Sequence, residues 1–349
     1  MKNFTGKTAF ITGGASGAGL GQAQIFSEAG MKVVIADLRQ DRLDEAASYF
    51  KEKNAPIHAI RLDVTDREAY AEAADEVESI FGGPPHLLVN TAGVNVFGPA
   101  EASSYDDYDW VMGVCLGGVV NGLVTFVPRM IRAYARKEEA HIAATVSWGA
   151  FGAGPVTAPY AAAKAAVLNL MESYRISLKS YGIGVSTICP ANIRSHIYET
   201  ALHRPENLRN TGYNVTEKTQ QFLASIHEHG MDPRVLAERL KEGIENDLFL
   251  VIPYKDGPRM VEIELERFKY LAYPGGEAEL AARRDTPARR AELLRMKNER
   301  EGYDVAAAGP IAPPPAQEKN APPRKLDTGG FAMANKDADW VDPDKKAQG

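Results

Sequence analysis

Three residues near the middle of the chain have the types and spacing to move a proton. Tyr160 and Lys164 stand four apart in TAPYAAAKAAV. An Ala-rich stretch opened by Pro159 predicts a helix, and residues at i and i+4 share one helix face. Ser147 precedes them at the end of the apolar run HIAATVS. Oxidation of a secondary alcohol needs such a trio, because the hydroxyl proton must leave as a hydride departs. A phenol titrates near 10, too high for a base at neutrality, and a neighbouring ammonium favours the phenolate. A Ser hydroxyl can hold the substrate oxygen. The plainer alternative is a packed Tyr ring beside a solvated amine, so the surrounding elements decide.

Those elements alternate. Short apolar runs, TAFIT, KVVIAD, IHAIRLD, HLLVN, HIAATVS and GVSTICP, are separated by helical patterns such as DRLDEAASYFKEK and DREAYAEAADEVESIF. Alternation of this kind implies right-handed βαβ crossovers and a doubly wound parallel sheet, covered by helices on both faces. Residues 232–252 add a helix, DPRVLAERLKEGIEND, and a strand, LFLVIP, which complete an α/β domain spanning 1–255. Residues 191–230 are polar with scattered aromatics and histidines, and read as a substrate lid. Residues 256–302 read as a charged helical extension. The Pro-rich segment 303–349 reads as a disordered tail, because its composition buries too little surface to fold alone.

The loops at the carboxyl ends of these strands suit a dinucleotide. TGGASGAG lies between the first strand and the first helix, and supplies Gly13, Ser16, Gly17, Ala18 and Gly19. Glycines there let the backbone turn tightly against a pyrophosphate, which the helix N-terminus attracts. The spacing is TGxxxGxG and does not match GxGxxG. Asp37, with Leu38 after it, ends the second strand 18 residues past Gly19. An acid there accepts ribose hydroxyls and repels a 2′-phosphate, which favours NAD over NADP; Arg39 nearby leaves the preference incomplete. Capping of the next segment is the bland role for Asp37. Asp63 and Val64 end the third strand, where they flank an adenine. Asn90, Ala92 and Gly93 end the fourth, where small residues leave room for the cofactor. The positive nicotinamide is a second group that favours the Tyr160 phenolate, and Lys164 can anchor the nicotinamide ribose.

Composition limits the alternatives. The chain has 349 residues, 44% hydrophobic and 25% charged, and a formal net charge of −6. That balance fits a soluble globular enzyme and gives no basic field for nucleic acid or an anionic membrane. No uninterrupted apolar run is long enough to span a bilayer, and no signal peptide precedes the first strand. Two cysteines, Cys115 and Cys189, suit a reducing cytoplasm. His227 and His229 at i and i+2 do not share a helix face, so no metal is expected.

Taken together, TGGASGAG, Asp37, NTAG, Ser147, the Tyr160–Lys164 pair and CPANIRS resemble the short-chain dehydrogenase/reductase family over residues 5–252. The resemblance implies a single Rossmann-type domain with a seven-stranded sheet, usually in a homodimer or homotetramer. It implies Tyr160 as base, Ser147 as the substrate-orienting residue and Lys164 as a ribose-binding relay. It also places Pro190, Ile193 and Ser195 against the nicotinamide carboxamide. Two positions depart from the family pattern. Cys115 stands where the family has an Asn that helps hold a water in a proton relay, and Asn121 falls too late to replace it. Ala191 stands where Gly follows the proline.

A narrower resemblance, in AFITGGASGAGLGQA, NTAGVNVFGP, TFVPRMI and PANIRSHI, is to bacterial Cα-dehydrogenases of lignin β-aryl ether breakdown. It implies NAD-dependent oxidation of a benzylic alcohol to a ketone. Asn95, Phe97, Trp148 and Tyr198 are the expected substrate contacts, with Tyr213 and Phe222 as further aromatics; packing of the lid itself is their other role. Another lipophilic alcohol, such as a steroid, and a catalytically weakened NAD-binding regulator remain the alternative functions.

Overall fold

The computed structural model describes residues 1–55, 57–208, 212–213 and 216–272. The elements run β1 (Thr8–Thr12), α1 (Gly17–Glu28), β2 (Lys32–Asp37), α2 (Gln40–Glu52), β3 (His58–Arg61), α3 (Arg67–Phe81), β4 (Leu87–Asn90), α4 (Tyr105–Met112), α5 (Gly118–Tyr134), β5 (Ala140–Thr145), α6 (Ala158–Leu178), β6 (Ile183–Ile188), α7 (Glu217–Glu228), α8 (Pro233–Glu245), β7 (Leu250–Val251) and α9 (Gly257–Ala272). One π-helical turn, Gly113–Gly117, joins α4 to α5. The Pro-rich tail and the extension beyond residue 272 lie outside the described residues.

All seven strands are parallel, in the order β3-β2-β1-β4-β5-β6-β7. The chain winds outward from β1 to β3, then returns to β4 beside β1. The crevice above β1 and β4 is therefore the topological switch point, where open α/β sheets bind ligands. Burial on both faces explains the nearly continuous apolar strands: every residue of β1, β4 and β5 is buried. On one face Tyr70, Phe126 and Met171 pack from α3, α5 and α6. On the other, Phe26, Leu43 and Leu240 pack from α1, α2 and α8.

The run Tyr105–Tyr134 corrects one expectation, since it is long and apolar enough by length and composition to cross a membrane. Half of its most apolar window is buried inside the protein. Trp110, Val111, Leu123 and Phe126 carry that burial, so the apolar stripe serves the core of the α/β domain.

Candidate active site

Helix α6 places the proton-moving pair. Pro159 sits in its first turn, and Tyr160 and Lys164 follow one turn apart on the face that lines a cavity of about 580 Å³. Lys164 is 3% exposed; its Nζ donates to the Thr145 carbonyl at 2.9 Å and lies 5.6 Å from the Tyr160 ring centroid. Ser147, just past β5, lines the same wall, and its Oγ accepts the Gly149 N–H at 3.1 Å. Burial pushes the Tyr160 phenol up, while the Lys164 charge and the Ser147 hydroxyl pull it back. Burial prevails, so the net shift of the phenol is upward.

Cys115 lies in the π turn, fully buried, and bonds both polar groups of one residue. Its Sγ accepts the Val94 N–H at 3.4 Å and donates to the Val94 carbonyl at 3.2 Å. Burial pushes the thiol up against the opposing Lys164 charge. Asn121 is turned elsewhere, its Nδ2 donating to the Val64 carbonyl at 2.9 Å. A polar cluster beneath the site escaped the sequence reading. The Gln22 amide donates to Thr145 Oγ1 at 3.0 Å, and Thr91 Oγ1 donates to Gln22 Oε1 at 2.6 Å. The cluster ties α1 to the residue whose carbonyl holds Lys164; no local period marks these residues.

The opposite half of the cavity fits a dinucleotide. Gly13, Ser16, Gly17, Ala18, Gly19, Asp37, Leu38, Asp63, Val64, Ala92, Gly93, Pro190, Ile193 and Ser195 all line it. A Cβ on Gly19 would lie 2.0 Å from the Gly13 carbonyl oxygen, so the loop closes only on glycine. Ser16 caps α1 without a side-chain bond, so its hydroxyl satisfies none of the first-turn N–H groups. Burial raises the Asp37 carboxyl, opposed by the N–H groups of Arg39 and Ala15. Asn90 is a correction: it does not line the cavity. Its Oδ1 would lie 2.5 Å from a Cβ on Gly122, where it converges with the Tyr70 hydroxyl, because the last side chain of β4 points into the helix layer.

The segment expected as a lid lines the cavity with a 3-10 turn, Ile197–His203, and with His227 of α7. Its anchor is Asp107 in α4, fully buried, which closes a capping box with Ser104. Arg204 donates to Asp107 Oδ1 at 2.6 Å and lies 5.4 Å from the Trp110 ring centroid. The Tyr213 N–H also bonds Asp107, and the Tyr213 hydroxyl donates to the Pro99 carbonyl at 2.8 Å. A Cβ on Gly98 would fall 2.0 Å from the Tyr213 ring, so the ring needs glycine there. Asn95, Phe97 and Trp148 line the cavity as expected contacts should. Tyr198 does not: it stacks on His227 with centroids 5.7 Å apart, and His227 faces the cavity instead. Tyr213 is spent on the anchor, and Phe222 is 63% exposed, so neither joins the lining. Trp110, Val114, His196 and His227 line it and were missed by the sequence reading. The His227 Nδ1 bonds the Ile193 carbonyl, the His229 Nδ1 bonds the Ser225 carbonyl, and no three-ligand metal cluster occurs among the described residues.

Residues 7–205 match the family model described as short chain dehydrogenase. The chain belongs to the short-chain dehydrogenase family. It is 51% identical over 256 residues to a C alpha-dehydrogenase of Sphingobium sp. strain SYK-6, covering 73% of this chain and 83% of that protein. The crystal structure of the LigD apo form from the same strain is 43% identical, with a TM-score of 0.64, covering 78% of this chain and 99% of the other. A short-chain dehydrogenase/reductase from Burkholderia phymatum, crystallised with NAD, is 30% identical, with a TM-score of 0.72 and coverage of 79% and 98%. As a short-chain dehydrogenase, this chain pairs a nicotinamide dinucleotide with a small-molecule alcohol.

Proposed function

We propose that this enzyme oxidises the benzylic Cα alcohol of an arylglycerol β-aryl ether to the ketone, using NAD. One observation carries the reading: Ser147, Tyr160 and Lys164 line one wall of a cavity whose far end carries Asp37, and whose near end carries Phe97, Trp110 and Trp148. The 51% identity to a C alpha-dehydrogenase supports the substrate class.

In this mechanism Ser147 donates to the alcohol oxygen and holds it beside Tyr160. Tyr160 takes the hydroxyl proton as the C–H bond breaks. When bound, a nicotinamide would supply the hydride acceptor and a positive charge that favours the Tyr160 phenolate. Lys164 adds its own charge and binds the ribose, fixed by Thr145. Asp37 receives the adenosine ribose, which favours NAD. Gly13, Ser16, Gly17, Ala18 and Gly19 hold the pyrophosphate, and Pro190, Ile193 and Ser195 hold the carboxamide. Asn95, Phe97 and Trp148 enclose the aromatic substrate. A reducing cytoplasm fits the two free, buried cysteines. Assembly as a homodimer or homotetramer is part of the same proposal, and light scattering tests it.

The test is a panel of secondary alcohols with NAD and with NADP, followed by absorbance of the reduced nicotinamide and by ketone analysis. The reading predicts turnover of the β-aryl ether with NAD preferred. Activity on steroid or other alcohols with none on the ether would replace the substrate. Binding of NAD without turnover of any alcohol would make the chain a weakened regulator.

A further inference from the structure

The adenosine side of the cavity carries a cation that the lid helps to hold. Arg39 lies two residues past Asp37 and lines the same cavity. An arginine at this place is the group that can receive a ribose 2′-phosphate. Here all three guanidinium nitrogens are engaged. Nε donates to Asp41 Oδ1 at 3.2 Å, one terminal nitrogen donates to Asp41 Oδ2 at 2.5 Å, and the other meets His203 Nε2 at 3.1 Å. A guanidinium only donates, so the imidazole presents an unprotonated nitrogen to it. Asp41 stands in the first turn of α2, where the helix dipole favours a carboxylate. His203 closes the lid turn Ile197–His203 and itself lines the cavity. Arg61 offers no substitute: its Nε is directed at the Leu38 carbonyl at 3.4 Å, and it is not part of the lining.

We propose that Asp41 and His203 together are specificity-determining residues, which sequester Arg39 so that it does not receive a 2′-phosphate. The inference rests on the NAD reading of this site. A phosphorylated ribose can pair with Arg39 only if the guanidinium leaves both carboxylate oxygens and the imidazole. An unphosphorylated ribose needs no such release. The lid thereby takes part in choosing the dinucleotide: its docking through His203 and binding of NADP compete for one cation.

The experiment compares kcat/KM for NADP and NAD, with the alcohol the wild type turns over best. The proteins are the full-length wild type, D41A, H203A, D41A/H203A, R39A and R39A/D41A/H203A. The NADP/NAD ratio is expected to rise about tenfold in D41A/H203A, the scale of one charge-assisted hydrogen bond. Each single release should give less. The triple variant should return to the wild-type ratio, and R39A alone should leave it unchanged. A flat ratio in D41A/H203A overturns the inference, even if both cofactors lose activity together through a loosened lid. A rise that survives in the triple variant overturns it too, because loss of the Asp41 charge would then suffice. Wild-type inactivity with NAD removes the functional reading itself, whereas NAD activity with a flat ratio removes only this inference.

Discussion

The two ends of the cavity are built by different means. At the dinucleotide end, the loops that carry the glycines, Asp37 and Asp63 leave the carboxyl ends of strands, and their order is inherited from the sheet. Asp37 closes β2, and Ala92 and Gly93 follow β4 within three residues. At the lid end, order comes from side chains far apart in sequence, gathered on Asp107: Arg204 is 97 residues away and Tyr213 is 106. One end is therefore ordered by backbone close to each strand, and the other by a buried ion pair between residues distant in sequence.

Breaking that pair is the sharpest challenge to the comparison. Asp107→Ala leaves Arg204, 5% exposed, without its carboxylate. Loss of one partner of a buried pair costs about 3–5 kcal/mol, so kcat/KM for the alcohol should fall by about 100-fold or more. NAD affinity, read by fluorescence titration, should fall far less; equal losses would erase the distinction. Acid tests the same pair. Burial raises the Asp107 carboxyl, but the Ser104 N–H, Arg204, the Ser104 hydroxyl and the Tyr213 N–H hold it net below 3.8. A carboxyl depressed in the folded state stabilises above its unfolded value, and that contribution is lost as pH falls through the folded one. Below about pH 4 the lid should become cleavable by an acid-active protease before circular dichroism reports loss of the sheet. A single coincident transition would contradict this.

Milder effects belong to the other end. Asp37→Ser should lower kcat/KM for NAD by about 10- to 100-fold, the range for a charged hydrogen bond. NADP should lose little, and a parallel loss with both cofactors would make Asp37 a capping residue only. The smallest effect is expected at Cys115→Asn. An amide bonds better than a thiol at the Val94 backbone, so kcat should rise a few-fold. No change, or a fall, would show that the thiol serves the site as well as the amide.

How much of this was legible follows the same division. Strands buried on both faces write themselves as apolar runs, so TAFIT and KVVIAD mark β1 and β2 to the residue. The glycine loop and the Tyr160–Lys164 spacing are local and could be read directly. Asp107 was half legible, because Ser104 three residues before it is a capping signal. Nothing local announces that its other oxygen receives Arg204. Tyr198 and Asn90 misled because residue type and approximate place were right but side-chain direction was not: Tyr198 stacks on His227, and Asn90, two residues after Leu88 in β4, shares its face toward the helix layer. The Gln22–Thr91–Thr145 cluster left no trace, since its members come from three separate elements.

The central claim is that Tyr160 moves the proton in a cavity that binds dinucleotide and alcohol together. Tyr160→Phe keeps the ring and removes only the hydroxyl. Ketone formation from the β-aryl ether with NAD, measured beside NAD affinity in the same variant, tests it most directly. The account predicts that turnover drops by about 1000-fold, within the span of acid–base catalysis, while NAD still binds. Turnover retained in Tyr160→Phe would contradict it.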